Sequence, residues 1–186
     1  TPILIGKEEL IKEQIKKIGY NENFDIEIIN SKDKMKREKY VQYLFKKLQR
    51  EKGMLEWDCD RIIRNDRVIW ASCMVACGDA DAMVTGNTRR YSSSLEKIIK
   101  VVDPRPGEIM FGLNLVVHKG KTIFVGDTSV HEYPNAEQLS EIAISSARVV
   151  RLFGFDPKVA FVSHSTFGQP LTSRTKHIKE AVDILK

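Results

Sequence analysis

The chain has 186 residues, of which 42% are hydrophobic and 30% charged, and its formal net charge is +5 at pH 7. This is the composition of a globular protein, and it excludes a disordered tail or a low-complexity chain. The basic excess is spread thinly along the sequence, so no nucleic-acid partner is expected. No apolar run approaches the roughly 20 residues that cross a bilayer, and three cysteines are too few for a disulfide scaffold. We therefore expect a cytoplasmic protein with no membrane partner.

The first half of the chain alternates short apolar runs with amphipathic stretches. Their spacing predicts strands at 3–5, 25–30 and 80–86, and helices at 7–18, 35–52, 57–63, 68–77 and 92–100. The helix at 35–52 carries its apolar residues on one stripe, from Tyr40 to Leu48, which is typical of core packing. The Pro- and Gly-containing sequence at 103–107 interrupts regular structure and indicates a domain boundary.

The second half opens with a hairpin pattern in which Gly120 marks the turn. Asn135, with Gln138 three residues later, predicts the capped start of a long helix. The predicted elements are strands at 109–118, 122–125 and 159–162, and helices at 135–153 and 172–185. Strands that alternate with helices favour an α/β fold with a mostly parallel sheet in each half. In such sheets ligands bind at the carboxyl ends of the strands.

One polar cluster lies at the end of the predicted strand at 80–86. It consists of Thr85, Gly86, Asn87, Thr88, Arg89 and Arg90. Glycine lets a ligand approach the backbone closely, hydroxyls supply hydrogen-bond donors, and two guanidinium groups can bind a phosphate group. The cluster is therefore a candidate anion site. The alternative is a solvated loop whose arginines pair with local acids.

Two more polar clusters follow predicted strands in the second half of the chain. In the first, Asp127 could orient a ligand hydroxyl or pair with an arginine, and the alternative is a carboxylate that only organises a turn. The second consists of Ser163, His164, Ser165 and Thr166. It precedes a predicted helix, whose N-terminus would favour an anion. This second cluster is the better candidate for a binding loop.

Other kinds of site have little support in the sequence. A hydrolase triad of Ser165, His164 and Asp127 would need adjacent loop residues to aim at each other, and the G-x-S-x-G motif is missing. The Gly-rich motifs of dinucleotide-binding proteins and P-loop enzymes are also missing. We therefore assign no catalytic residue.

The cysteine and histidine side chains do not form a metal-binding pattern. Cys73 and Cys77 are four residues apart on a predicted helix, but no His or acid completes a ligand set nearby. We expect them to be small core residues. The isolated histidines are typical of surface side chains, and they are His118, His131 and His177.

Five stretches of the sequence form a recognisable family pattern. They are Lys52-Gly53-Met54, Gly78 to Gly86, Gly126-Asp127, Pro134 to Ala143 and Phe153 to Ala160. Together they resemble the phosphate acetyl/butyryl transferase family over nearly the whole chain. Because His164 and Phe167 follow Ser163, the chain is most similar to the phosphotransacetylase-like C-terminal part of large bacterial NADP-dependent malic enzymes.

The resemblance implies a layered αβα architecture of two α/β domains with mostly parallel sheets and coenzyme A in the cleft between them. Residues 1–102 would be part of the first domain, and residues 103–186 would be the start of an inserted second domain. The chain would thus be truncated at both ends. Gln49, and Glu96 after Leu95, stand where free-standing transacetylases carry arginines. Both departures remove cations that would stabilise charge during transfer, which argues against transfer activity.

The resemblance leaves three alternatives for function. The first is a regulatory part of an NADP-dependent malic enzyme, which converts malate to pyruvate. This part would bind acetyl-CoA and support a homo-oligomer, while NADP and a divalent metal would be bound by a catalytic part outside this sequence. The second is an active phosphate acetyltransferase or butyryltransferase, which moves an acyl group between coenzyme A and phosphate. The third is a structural oligomerisation unit without a ligand. In the first two alternatives the three polar clusters would contact coenzyme A or phosphate.

Overall fold

The protein is represented by a computed structural model, which describes residues 1–20, 26–30, 33–165 and 169–186. The described chain divides into two compact units, Thr1–Asp103 and Pro104–Lys186. Within these residues, no helix is both long enough and apolar enough to cross a bilayer.

The first unit contains two short strands and five helices among its described residues. They are β1 (Ile3–Ile5), α1 (Glu8–Lys17), β2 (Glu27–Ile29), α2 (Lys34–Lys52), α3 (Glu56–Asn65), α4 (Arg67–Ala76) and α5 (Tyr91–Val101). The two strands pair in parallel, with Ile3 opposite Glu27 and Ile5 opposite Ile29. The five predicted helices are thereby confirmed to within about two residues at each end, which is the usual uncertainty of helix boundaries. Part of the predicted strand at 25–30 is confirmed, and its first residue, Asp25, lies outside the described residues.

The core of the first unit is formed mainly by the apolar faces of α2, α3 and α4. Tyr40, Leu44, Ile63, Trp70 and Cys73 are almost completely buried there. The ring of Tyr40 meets that of Trp70 edge-on, with 5.1 Å between the ring centroids. Complete burial of one large apolar side chain contributes about 1.5–3 kcal/mol to stability. The predictions of an apolar stripe on α2 and of a core position for Cys73 are therefore confirmed.

The second unit contains an antiparallel hairpin and two helices among its described residues. They are β3 (Leu113–His118), β4 (Lys121–Gly126), α6 (Ala136–Leu152) and α7 (Ser173–Ile184). The two turn residues of the hairpin, Lys119 and Gly120, have φ angles of 47° and 75°. Positive φ at both positions is the requirement of the type I′ turn, which matches the twist of a two-residue hairpin. The predicted hairpin is confirmed, although its first strand begins at Leu113 and not at residue 109.

Helix α6 begins with the predicted capping box. The Asn135 side chain accepts a hydrogen bond from the Gln138 backbone N–H at 2.8 Å, and the Gln138 side chain accepts one from the Asn135 N–H at 3.0 Å. Farther along, the buried Ser140 hydroxyl lies 2.8 Å from the Ala136 carbonyl oxygen in its own helix and 3.2 Å from the Ala181 carbonyl oxygen of α7, so its one proton is shared between the two helices. The prediction of this helix is confirmed.

Two predicted buried strands do not form. Residues 80–86 and 159–162 run without strand pairing. Val84 is fully exposed, and Val159 and Val162 are 55% and 87% exposed. A strand needs a neighbouring strand to bond its backbone groups, and neither segment pairs with another strand in the described part of the chain. The predicted parallel sheet is therefore limited to β1 and β2 in the first unit, and the sheet of the second unit is antiparallel.

Candidate functional site

The first polar cluster lies on an exposed segment between α4 and α5. All six of its residues, Thr85 to Arg90, are exposed. The backbone turns sharply there, with φ angles of 143° at Gly86 and 60° at Asn87, and the Thr88 N–H donates to the Gly86 carbonyl at 2.7 Å. Among the described residues, neither Arg89 nor Arg90 has an ion-pair or hydrogen-bond partner for its guanidinium group. The described structure therefore shows no local acid that neutralises these two cations.

A network at the end of α4 holds the chain just before this segment. Asp79 accepts hydrogen bonds from Lys39 Nζ at 2.7 Å and from the Tyr40 hydroxyl at 2.8 Å. The bond from Lys39 lowers the pKa of Asp79 and outweighs the opposing effect of burial, while burial raises the pKa of Tyr40. Asp79 is therefore ionised and the Tyr40 hydroxyl is protonated near neutral pH. Because Tyr40 belongs to the core, this network fixes the point from which the exposed segment departs.

In the second unit, Asp127 accepts hydrogen bonds from five N–H groups. Its Oδ1 accepts from the backbone N–H groups of Gly112, Ser129 and Val130 at 3.0–3.1 Å. Its Oδ2 accepts from the backbone N–H of His131 at 2.9 Å and from His131 Nδ1 at 2.7 Å. The Asp127 side chain is only 2% exposed. Its oxygens are thus engaged by the surrounding turn, as the alternative interpretation of this residue states.

The charge state of Asp127 follows from the same contacts. Burial alone would raise its pKa, but the hydrogen bonds from His131 and from the backbone N–H groups outweigh burial and lower the pKa. An ionised carboxylate can only accept, so Nδ1 of His131 donates the hydrogen bond to Oδ2. Asp127 therefore fixes the orientation of a half-buried histidine ring.

This pairing corrects the prediction that His131 is an isolated surface residue. Its ring is 21% exposed and is bonded to Asp127. This contact does not follow from the spacing of the two residues in the sequence, because a turn and not a helix brings them together. A useful signal was present: a carboxylate that starts a turn commonly bonds N–H groups a few residues later.

The third cluster is organised by its own serines. The hydroxyls of Ser163 and Ser165 are 2.6 Å apart, and the Ser165 N–H donates to Ser163 Oγ at 3.0 Å. His164 is exposed. Thr166, together with Phe167 and Gly168, lies outside the described residues. Within the described part of the second unit, no hydrogen bond joins Ser165 or His164 to Asp127, so a triad is not formed there.

Helix α7 does not begin directly after this cluster. Its N-cap is Thr172, whose hydroxyl accepts a hydrogen bond from the Thr175 N–H, while Thr175 Oγ1 accepts one from the Thr172 N–H. The helix therefore satisfies part of its own N-terminus. The expectation that this helix N-terminus favours an anion stays a prediction.

The architecture is that of an α/β protein of the phosphotransacetylase type. A solved phosphotransacetylase from Streptococcus pyogenes superposes with a TM-score of 0.82 at 24% identity. The match covers 98% of this chain and 55% of that chain. At this level of identity the likeness concerns the fold.

The family follows from the sequence as a whole. A family profile described as phosphate acetyl/butaryl transferase matches residues 1–186, and the chain therefore belongs to this family. It is 42% identical to a probable NADP-dependent malic enzyme of Rickettsia prowazekii (strain Madrid E), and 40% identical to an NADP-dependent malic enzyme of Rhizobium meliloti (strain 1021). Each of these matches covers 100% of this chain and 24% of the relative.

A relative of another kind lies at lower identity. The chain is 30% identical to a phosphate acetyltransferase of Helicobacter pylori (strain J99 / ATCC 700824), with 99% of this chain and 35% of that protein covered. The chain thus spans about a quarter of the length of the malic enzymes and about a third of the length of this transferase. The predicted resemblance is confirmed at the level of the family and of the malic-enzyme relatives.

Proposed function

We propose that the chain is the phosphotransacetylase-like part of an NADP-dependent malic enzyme and that it binds acetyl-CoA as a regulatory ligand. Residues 1–102 and 103–186 would be parts of its two domains, and the unit would support a homo-oligomer. The observation that carries the proposal is the identity of 42% and 40% to two NADP-dependent malic enzymes over the full chain. Because the chain spans only 24% of those relatives, oxidation of malate is assigned to the longer protein and not to these residues.

The contacts proposed for acetyl-CoA rest on charge and exposure. Arg89 and Arg90 are exposed cations without an acid partner in the described structure, and a guanidinium group binds phosphate oxygens through two parallel N–H donors. Coenzyme A offers phosphate oxygens to such groups. Gly86 and the hydroxyls of Thr85 and Thr88 would bond the remaining oxygens. This segment is the part of the proposed site that the structure describes most completely.

The other candidate residues have different proposed roles. Ser163 and Ser165, with His164 beside them, would offer hydroxyl and imidazole groups to the ligand, as would Thr166 in the same loop. Asp127 would act indirectly, since its oxygens are engaged by the turn that it organises. The divalent metal and NADP would be bound elsewhere in the longer protein. The described residues bring together no group of three or more His, Cys, Asp or Glu that could hold a metal ion.

A ligand titration tests the proposal. Acetyl-CoA at about 100 times its dissociation constant should stabilise the native state by about 2.7 kcal/mol, which for this chain length is a rise in Tm of roughly 5–10 °C. The measurement is run on the 186-residue chain and on a longer protein that contains it. Arg89→Ala and Arg90→Ala should each reduce the shift, and Arg105→Ala, an exposed arginine outside the three clusters, is the matched control.

The outcomes separate the alternatives. A shift that disappears in the Arg89 and Arg90 variants and persists in the control supports the regulatory site. The absence of any shift in either protein would favour a structural unit without a ligand. A full shift in all variants would contradict the assignment of these arginines.

Active phosphate acyl transfer is a second candidate, because the chain is 30% identical to a phosphate acetyltransferase. In this reaction a phosphate oxygen attacks the thioester carbonyl, the carbon–sulfur bond breaks, and coenzyme A leaves as a thiolate that takes up a proton. The exposed Gln49, and Glu96, which bonds Lys100 at 2.7 Å, supply no cation for this charge. Release of free thiol from acetyl-CoA in the presence of phosphate would establish this second function.

A further inference from the structure

A cavity of about 510 Å³ lies in the first unit, away from the exposed segment at 85–90. It opens at the carboxyl ends of β1 and β2, where the chain passes from Ile5 through Gly6 into helix α1. Its apolar wall includes Ile63 and Trp70. In open α/β sheets this edge is where ligands bind, because the chain turns there from strands into helix N-termini. None of residues 85–90 lines this cavity.

The wall of the cavity is rich in hydrogen-bond donors. Arg67 starts α4, and its Nη1 lies 3.8 Å from the position that a Cβ on Gly6 would occupy, so its guanidinium reaches over the turn between β1 and α1. Arg67 has no ion-pair or hydrogen-bond partner for this group within the described part of the chain. Lys7, the N-cap of α1, also lines the cavity and offers its helix no side-chain cap. The first backbone N–H groups of α1 are thus left uncapped by a side chain.

A second observation points the same way. Trp70 is 1% exposed and lines the cavity, and its indole Nε1–H is buried without a hydrogen-bond partner among the described residues. A buried donor without an acceptor is unfavourable, and such groups are often satisfied by a ligand or a water molecule. An acceptor-rich group in this cavity would lie among residues that include Trp70 and Arg67.

The charged side chains of the wall decide whether the cavity favours an anion. Glu8 forms an ion pair with Lys12 at 2.7 Å along the helix, and Arg64 forms one with Asp60 at 2.7 Å. The negative charge of Glu8 and the positive charge of Arg64 are therefore each neutralised by a partner on the same helix. Arg67 and Lys7 outnumber the remaining acid, Glu9, and the uncapped start of α1 adds positive potential at Gly6.

We propose that this cavity binds a phosphate group, held by Arg67, Lys7 and the first N–H groups of α1, with the organic part of the ligand against Ile5, Ile63 and Trp70. A strand followed by glycine and a helix N-terminus suits phosphate, since a small residue lets the anion approach the backbone N–H groups. This site is separate from the proposed acetyl-CoA site, and neither proposal depends on the other.

Trp70 provides the readout. The chain has two tryptophans, Trp57 and Trp70, so Trp57→Phe leaves Trp70 as the only indole fluorophore. Inorganic phosphate and pyrophosphate are titrated into this variant of the 186-residue chain, with acetate at matched ionic strength as the control anion. We expect a saturable change of Trp70 fluorescence and a rise in Tm with the phosphates, and neither effect with acetate.

Substitutions locate the binding. Arg67→Gln should raise the half-saturating pyrophosphate concentration about tenfold or more. Arg67→Lys should recover only part of the affinity, because lysine keeps the positive charge but not the two parallel N–H donors of arginine. Arg61→Gln, on α3 and outside the cavity, is the matched control and should change nothing. Because Arg67 and Arg61 are both exposed, neither change should prevent folding, and the Tm of each variant without ligand verifies this.

Three results would overturn the inference: no saturable response in the Trp57→Phe protein, an unchanged response in Arg67→Gln, or a response abolished by Arg89→Ala. The last would place the phosphate at the exposed segment. Conversely, a pyrophosphate response that depends on Arg67 stands even if acetyl-CoA fails to bind, so failure of the two proposals can be told apart.

Discussion

Replacement of Asp127 by asparagine isolates the contribution of its negative charge. The substitution keeps the shape of the side chain and one oxygen, which can still accept from the N–H groups of Gly112, Ser129 and Val130. The other oxygen becomes an amide NH₂ that faces two donors of His131. The change therefore acts on one side of the turn only.

The expected cost follows from which of these bonds can be replaced. His131 can move its proton from Nδ1 to Nε2 and then accept a hydrogen bond from the new amide. The backbone N–H of His131 can only donate, so it is left facing the new amide NH₂, which is also a donor, at a partly buried position. Loss of one bond to a charged group costs about 1.5–3 kcal/mol. We expect Asp127→Asn to lower the free energy of unfolding by about 2 kcal/mol, which corresponds to a fall in Tm of roughly 4–8 °C.

The pH dependence provides a second, independent readout. The pKa of Asp127 is lower in the folded state than in the unfolded state, where it is about 3.9. Its stabilising effect is therefore fully present above the unfolded pKa and is lost as the pH falls through the folded pKa. The difference in Tm between the native chain and Asp127→Asn should shrink as the pH falls from about 5 to 3.

The assay is thermal unfolding followed by circular dichroism between pH 7 and pH 3. Asp156→Asn removes an exposed carboxylate of the same unit and is the matched control. The reasoning is refuted if Asp127→Asn unfolds within about 0.5 kcal/mol of the native chain, the range of ordinary surface substitutions. It is also refuted if the difference in Tm stays the same down to pH 3.

Two further substitutions test the core and a helix cap. Leu44→Ala should lower the free energy of unfolding by about 2–5 kcal/mol, because Leu44 is 1% exposed and truncation leaves a cavity, whereas Leu152→Ala, at an 83% exposed position, should have little effect. Asn135→Ala should cost about 1 kcal/mol by removing the cap of α6, and Ser173→Ala, an exposed serine, is the control in the same denaturant titration. Equal effects of Leu44→Ala and Leu152→Ala would contradict the core assignment. Equal effects of Asn135→Ala and Ser173→Ala would contradict the assignment of the helix cap.

The helices were predictable because a helix satisfies most of its hydrogen bonds within its own sequence. The periodic apolar positions of α2 and the Asn135–Gln138 box of α6 are local signals, and both elements form as predicted. The hairpin was predictable for the same reason, since Gly120 specifies its own turn. Prediction succeeded wherever the partners of the backbone are near in sequence.

The candidate site shows the limit of the same reasoning. Arg89 and Arg90 were selected by residue type, and the structure adds that no described acid neutralises them. Asp127 was selected by its place after a strand, but its partners, Gly112 and His131 among them, depend on the path of the turn. The cavity at Gly6 was not foreseen, because the approach of Arg67 depends on packing of α4 against a turn about sixty residues earlier in the chain.

The two strands that did not form follow from the same physics. An apolar run of four to eight residues signals that its side chains suit a buried environment, but the hydrogen bonds of a strand belong equally to its neighbours. Residues 80–86 and 159–162 keep the apolar pattern while Val84 and Val162 stand in solvent. The composition of these two segments therefore does not predict a strand by itself, because it does not specify the partner strand that must bond the backbone. The clusters at 85–90 and 163–165 were selected because they follow these two predicted strands. Since the strands do not form, ligand titration and not position in the sequence has to decide whether the clusters bind a ligand.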